Sequence, residues 1–136
     1  MKPTTSSKDS FELLNIILLE SNFKRDVEIS YTDEEFKSNI DIGIENQLKD
    51  SILFVEVSLT YSSGIEDSKE IEAFIKMIGV FKCPENSALS IDTFGKINAP
   101  AILFPFIREN LASVSMKAGI NPILLPPVNF VKLSQK

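Results

Sequence analysis

Apolar and polar residues alternate with a period of two along three stretches of this chain, and recur at three- and four-residue steps along one more. In residues 36–45, Phe36, Ile40, Ile42 and Ile44 fall on one side, and Lys37, Asn39, Asp41, Gly43 and Glu45 on the other. That is the pattern of a strand with one apolar and one wet face. Residues 46–51, with Lys49 and Asp50 at the tip, read as a turn. Residues 51–61 place Leu53, Val55, Val57, Leu59 and Tyr61 opposite Ile52, Phe54, Glu56, Ser58 and Thr60, and a polar loop at 62–69, broken by Gly64, follows. In residues 71–82, Ile71, Ala73, Ile75, Met77, Gly79 and Phe81 oppose Glu72, Phe74, Lys76, Ile78, Val80 and Lys82, so the second side is half apolar and both faces are expected to be partly covered. Pro84 ends this run. Residues 11–20 are largely apolar, a length and character that suit a strand or a helix; the reading adopted is a long first strand, bulged near Ser21.

The helical period comes late. Leu103, Ile107, Leu111, Val114 and Ala118 stack on one face, with Arg108, Glu109, Ser113 and Lys117 mostly off it. Lys117 suits the negative end of the helix dipole, and Gly119 can take the left-handed cap. Pro105 has no amide hydrogen, so it fits best in the first turn; deeper inside it would kink the helix. Residues 85–98 read as a short helix or irregular link, with Ser87 as its cap and Gly95 as its break. Residues 120–130 are apolar but not helical, because Pro122, Pro126 and Pro127 remove three donors and push Asn121, Leu125 and Pro126 towards extended geometry. Such a segment is either buried or forms a wall that other apolar chains can touch.

Strands first and a helix afterwards predict an α+β fold, a four-stranded antiparallel sheet with one long helix packed on one face. One helix leaves part of the sheet uncovered, so self-association is expected. The 136 residues suffice for one domain, 1–136, with a polar stretch at 1–9 expected to be disordered. No apolar run stands behind Lys2, Lys8 and Asp9 as a secretory leader requires, and no run is long enough to span a membrane.

Charge and composition narrow the chemistry. A net charge of −5 disfavours nucleic acid, which needs a basic stripe. The single Cys83 cannot form an internal disulfide, which fits a reducing, cytoplasmic setting. With no histidine, the commonest general base and metal ligand are absent, and no metal or other cofactor is implied. Asp41 and Glu45 share the wet side of a strand, and Glu12 and Glu20 form a looser pair, but both read as solvated surface. Ser113 and Ser115 lack an activating histidine, and Lys76, between Phe74 and Ile78, reads as snorkelling. The five glycines are scattered, so there is no phosphate loop and no enzyme is expected.

The apolar aromatic set Ile40, Ile42, Ile44, Phe54, Phe104, Phe106, Ile120, Leu124, Leu125 and Phe130 is the richer signal. Most of it reads as core. The functional reading is a groove between the strand at 36–45 and the segment at 120–130, accepting extended hydrophobic polypeptide.

Residues 100–130 also carry a family pattern. Pro100, Ile102, Leu103, Phe104, Pro105, Phe106, Arg108 and Glu109 are followed, without a gap, by Leu125, Pro127, Val128, Asn129 and Phe130. This pattern resembles the SecB family of export chaperones, and Gly79-Val80-Phe81 sits where that family has a similar strand end. The resemblance implies the four-stranded sheet with its helix behind, and a homo-oligomer, a dimer or a dimer of dimers. It implies an ATP-independent holdase for unfolded preproteins, with the SecA motor as a further candidate partner. Its client groove maps onto Ile40, Ile42 and Ile44 and onto Ile120, Ile123, Leu124, Leu125 and Phe130, and the helix face at Leu103 and Ile107 is assigned to the core or to a tetramer interface. Two departures stand out. The family continues past Asn-Phe into a second helix and an acidic tail, whereas here no long helix fits in 131–136. The acidic sheet face that meets SecA is also not reproduced, with Phe74 and Lys76 in that region. A chaperone or adaptor dedicated to one partner, such as an antitoxin, fits these departures as well.

Overall fold

The computed structural model describes residues 10–86 and 89–135. The expected disorder of residues 1–9 and the expected cap at Ser87 lie outside them. Four strands come first, β1 (Glu12–Arg25), β2 (Phe36–Lys49), β3 (Ile52–Ile65) and β4 (Ile71–Lys82). They form one antiparallel sheet in the order β1-β4-β3-β2. Successive strands β2, β3 and β4 are hairpin neighbours, while the linker after β1 carries the chain across the sheet to its far edge. A helical run follows without interruption, made of α1 (Ile91–Thr93), a π-helical stretch (Phe94–Asn98) and α2 (Ala99–Lys117). An extended proline-rich segment then leads to a short α3 (Phe130–Ser134).

The four strands and long helix are those expected from the sequence, β1 from its apolar run and the others from their periodicity, and several boundaries move. β2 continues past Glu45 to Lys49, because Asn46, Gln47, Leu48 and Lys49 pair with Val55, Phe54, Leu53 and Ile52. Their polarity marks an edge strand and not a turn. The turn itself is Asp50-Ser51, both at positive φ (50° and 67°). This is the twist-matched hairpin geometry that usually shows itself as Asn-Gly or Asp-Gly, and here it lacks the glycine signal. β3 likewise runs on to Ile65, since Ser62, Ser63 and Gly64 pair with Asn39, Ser38 and Lys37. β1 is bulged earlier than Ser21: its register against β4 shifts between Leu13 and Asn15 and again between Leu18 and Glu20.

Helix boundaries change for similar reasons. Ser90 is the cap, its Oγ accepting the Thr93 amide at 3.0 Å. Gly95 does not break the helix. A side chain there would collide with the carboxamide of Asn46, so its bareness lets the π-helical stretch lie close to β2. Pro105 sits well inside α2, beyond the first turn. It is exposed, as is Ala101 one turn earlier, so the carbonyl it leaves unpaired lies on the solvent side. At the other end, Gly119 (φ 77°) donates to the Met116 carbonyl and Ile120 to that of Ser115, the two crossed bonds of a Schellman cap.

The core lies between this helix and one face of the sheet. Leu103, Ile107, Leu111 and Ser115, four residues apart, are fully buried, so the stripe ends on a hydroxyl, while Val114 and Ala118 are half-buried. Opposite them lie Val55, Val57 and Leu59 of β3 and Ile75, Met77 and Phe81 of β4. Gly79 belongs to that face, and a methyl group there would press on Leu103 and on the ring of Phe81. The opposite sheet face is half-buried, with Lys76 paired to Glu56 at 3.8 Å and lying over the Phe74 ring. Each buried Leu or Ile contributes about 1.5–3 kcal/mol. Replacing Ile107 by Ala is expected to cost about 2–5 kcal/mol through lost burial and the cavity left behind, read as a lower urea midpoint with an unchanged slope.

Candidate functional site

One helix cannot cover four strands, and the uncovered part of the apolar face beside β2 is a cleft. On that face β2 presents Phe36, Ser38, Ile40, Ile42 and Ile44, paired with Ile65, Ser63, Tyr61, Leu59 and Val57 of β3. Ile42 and Ile44 are half-buried against the core, whereas Ile40, nearer the strand's start, is 40% exposed. The opposite wall is the extended segment after α2, whose prolines hold it out of helical geometry. Between the two lies an open cavity of about 460 Å³. Ile40, Phe36, Ile123, Leu124, Leu125 and Tyr31 are among its lining residues. A small polar spot interrupts it, where the Ser38 Oγ and the Tyr61 hydroxyl stand 3.2 Å apart.

Polar contacts fix the extended wall. Ser115 donates its hydroxyl hydrogen to the Ala112 carbonyl and accepts the Ile123 amide, each at 2.9 Å. The Arg25 guanidinium donates to the Ala118 carbonyl at 2.9 Å, where the helix ends and the wall begins. A buried hydroxyl without such partners would be costly, so Ser115 both completes the apolar stripe and aligns the wall.

Residues 14–136 match the family described as preprotein translocase subunit SecB. The chain belongs to the SecB family. It is 34% identical over 87 residues to the protein-export protein SecB of Methylobacillus flagellatus, a match covering 64% of this chain and 55% of that one. The chain thus spans little more than half the length of that relative. The SecB of Cellvibrio japonicus is 27% identical over 123 residues, covering 88% of this chain and 74% of its own. Among solved structures, a Mycobacterium tuberculosis SecB-like chaperone in complex with a ChAD peptide from an antitoxin shares the fold, with a TM-score of 0.71 at 13% identity over 87% of this chain and 90% of that one.

Of the residues mapped from SecB, the structure brings Ile40, Ile123, Leu124 and Leu125 to one cleft. Leu124 is 80% exposed and stands at the rim; Leu125 is buried and turned into the wall. Ile42, Ile44 and Ile120 are half-buried and packed against the core. Phe104 and Phe130 are withdrawn from the surface. Their rings meet edge to face at 5.7 Å and both are buried, because Phe104 points under the segment that Phe130 closes. Phe130 also borders a second, shallower depression with Ile97, Pro127 and Val131. The helix face at Leu103 and Ile107 is core. Phe54 lies on the far side of the sheet and Phe106 is exposed on the outer side of α2, so neither reaches the cleft.

Tyr31, Tyr61, Ser115 and Arg25 escaped the sequence reading as site residues. Tyr31 sits in a linker without periodicity, and an isolated aromatic in a polar stretch was its one trace. The acidic candidates stay apart from the cleft. Asp41 and Glu45 are exposed on the far side of the sheet, and no three potential metal ligands cluster among the described residues. Cys83 is buried, and desolvation pushes its thiol pKa up, towards the inert protonated form. Replacing Ser115 by Ala is expected to cost about 1–3 kcal/mol by orphaning the Ile123 amide. Hydrogen exchange should speed up at Ile123 and stay slow in β3 and β4.

Proposed function

We propose that this chain is an ATP-independent holdase that keeps unfolded or export-competent polypeptides from aggregating by seating their apolar segments in the cleft between β2 and residues 120–126. One observation carries this reading. The cavity is apolar, open and bounded by two extended stretches of chain, the shape that suits an extended peptide. Binding would draw on buried area and involve no covalent chemistry, so neither a cofactor nor turnover is needed. A cytoplasmic site of action agrees with the lone cysteine, and among the described residues no helix is long and apolar enough to cross a membrane. The whole of 1–136 would act as one domain. A second reading is a chaperone or adaptor dedicated to one partner, favoured by the shared fold with a SecB-like chaperone that holds an antitoxin peptide.

The same uncovered sheet supports self-association at its other edge. Leu13, Leu14, Ile17, Leu18 and Leu19 on the edge strand β1 are each 40–50% exposed. A long apolar edge with unpaired backbone groups is a template for pairing, and a second copy meeting it antiparallel would continue the sheet. Such a pair is the natural building unit of a larger homo-oligomer.

Ile40→Asp combined with Leu124→Asp, both exposed in the cleft, is expected to abolish suppression of aggregation of a reduced, unfolded client at stoichiometric ratio while circular dichroism stays native. Full activity in the folded double variant would refute the cleft. A pull-down that returns one partner, with no suppression of general aggregation, would favour the dedicated reading. Leu14→Lys with Leu19→Lys is expected to lower the mass measured by light scattering to that of a single chain; an unchanged mass would reject β1 as the pairing edge.

A further inference from the structure

The sheet side of the cleft holds a cluster of hydroxyls that its apolar walls do not explain. Ser38 of β2 and Ser63 of β3 stand directly opposite each other in the ladder, and Tyr61 lies two residues from Ser63 on the same side of β3. All three line the cavity. The Ser38 Oγ and the Tyr61 hydroxyl are 3.2 Å apart, longer than the roughly 2.7–2.8 Å common for a bond between hydroxyls, so this contact is loose. Whichever of the two donates, the other keeps its hydrogen. Ser63 is 2% exposed, and its Oγ has no hydrogen-bond partner among the described residues. Its backbone cannot shift to find one. It is paired on both sides, with Ser38 and with Ile71, and its carbonyl accepts the Glu70 amide at 2.8 Å.

A buried hydroxyl left unbonded is costly, and alanine in its place would carry no such cost. The cluster is a set of donors without an acceptor: the Ser63 hydrogen, and the one left over from the Ser38–Tyr61 pair. Its complement is a carbonyl oxygen. The backbone carbonyls of an extended peptide lie in the plane of its strand, at right angles to the side chains, so the group that reaches the sheet between apolar neighbours is a side chain. No cation lines the cavity, and a carboxylate there would lose its water without gaining a counter-charge. A neutral carboxamide meets the donors at no such cost. We propose, resting on the cleft reading above, that Ser38, Tyr61 and Ser63 are specificity-determining residues, and that the cleft prefers an extended apolar segment carrying an asparagine or glutamine among its inward side chains. The carboxamide oxygen accepts from Ser63 and takes over the loose Ser38–Tyr61 bond. Selection then rests on one polar residue of the client as well as on its apolar area.

The test uses the full chain and three short fluorescein-labelled peptides that alternate valine and lysine, with the central valine replaced by asparagine, leucine or aspartate. The asparagine peptide is expected to bind about tenfold tighter than the leucine peptide, its near isostere, and the aspartate peptide to bind weakest. Ser38→Ala with Ser63→Ala is expected to bring the ratio of the asparagine and leucine affinities down to about one, because the donors are gone. Ser63→Ala alone is expected to raise the urea midpoint of the free chain, since it removes an unbonded hydroxyl. Equal affinities for the asparagine and leucine peptides overturn the proposal, as does a preference that survives in the double alanine variant. A lower urea midpoint in Ser63→Ala overturns it too, because the hydroxyl would then already be bonded in the free chain. If Ile40→Asp with Leu124→Asp abolishes binding of peptides that the unaltered chain does not tell apart, the cleft stands and its selectivity falls. No peptide binding by the unaltered chain overturns both.

Discussion

A single helix is narrower than the sheet it covers, and the rest of this molecule follows from that mismatch. Strands spaced at about 4.8 Å put the outer members of a four-stranded sheet roughly 14 Å apart, before side chains are added. A helix with its side chains is about 10–12 Å across. The stripe Leu103, Ile107, Leu111 and Ser115 therefore seats over β3 and β4, where burial is complete, and leaves the two outer strands to other partners. Gly79 permits the close approach at Leu103 that makes this seating possible. Core stability and open apolar surface thus share one geometric origin.

The two uncovered flanks are not alike. Beside β2 the chain covers part of the face with its own extended segment, held off helical geometry by Pro122, Pro126 and Pro127 and anchored through Ser115. A cleft remains between the two. Beside β1 no comparable segment returns among the described residues, and half-exposed leucines and an isoleucine lie along this outer strand. Extended chain on one flank and an outer strand on the other suit the proposed division of work, client on the β2 side and a second copy on the β1 side. Polar groups govern position throughout. Arg25 joins the end of β1 to the end of α2, Ser115 sets the proline segment, and Glu70 sets the linker. Each is a side chain reaching a backbone group in another segment, 93 residues away for Arg25, 40 for Glu70 and eight for Ser115, the kind of bond that places loops where no regular ladder can.

The match to the SecB family includes all four strands apart from the first two residues of β1, together with α2. The proposed grip by apolar area needs no titratable machinery. The acidic pair Asp41 and Glu45 faces solvent on the opposite side of the sheet from the cleft, and the one thiol is buried. The polar side chains lining the cleft, among them the hydroxyls of Ser38 and Tyr61 and the carboxamide of Asn121, are uncharged, so an occupant could meet them without a net charge being desolvated.

The periodicity of the chain by itself determined the strands β2, β3 and β4, the long helix and the inward residues of β3 and β4, because burial on one face must repeat every two residues in a strand and every three to four in a helix, whereas the apolar run of β1 suited either element. The motif at 100–130 marked the family, and three prolines marked the extended wall. Tertiary structure decided what local pattern could not express. The turn at Asp50-Ser51 was hidden because its geometry came without glycine, and β2 and β3 ran on through polar residues because ladder bonds are made by backbone, whatever the side chain. Strand order, the withdrawal of Phe104 and Phe130 into the interior and the arrival of Tyr31 at the cleft depend on contacts between residues dozens of positions apart. Apolarity states that a residue leaves water; which neighbour it meets is settled only when helix and sheet, unequal in width, are packed together.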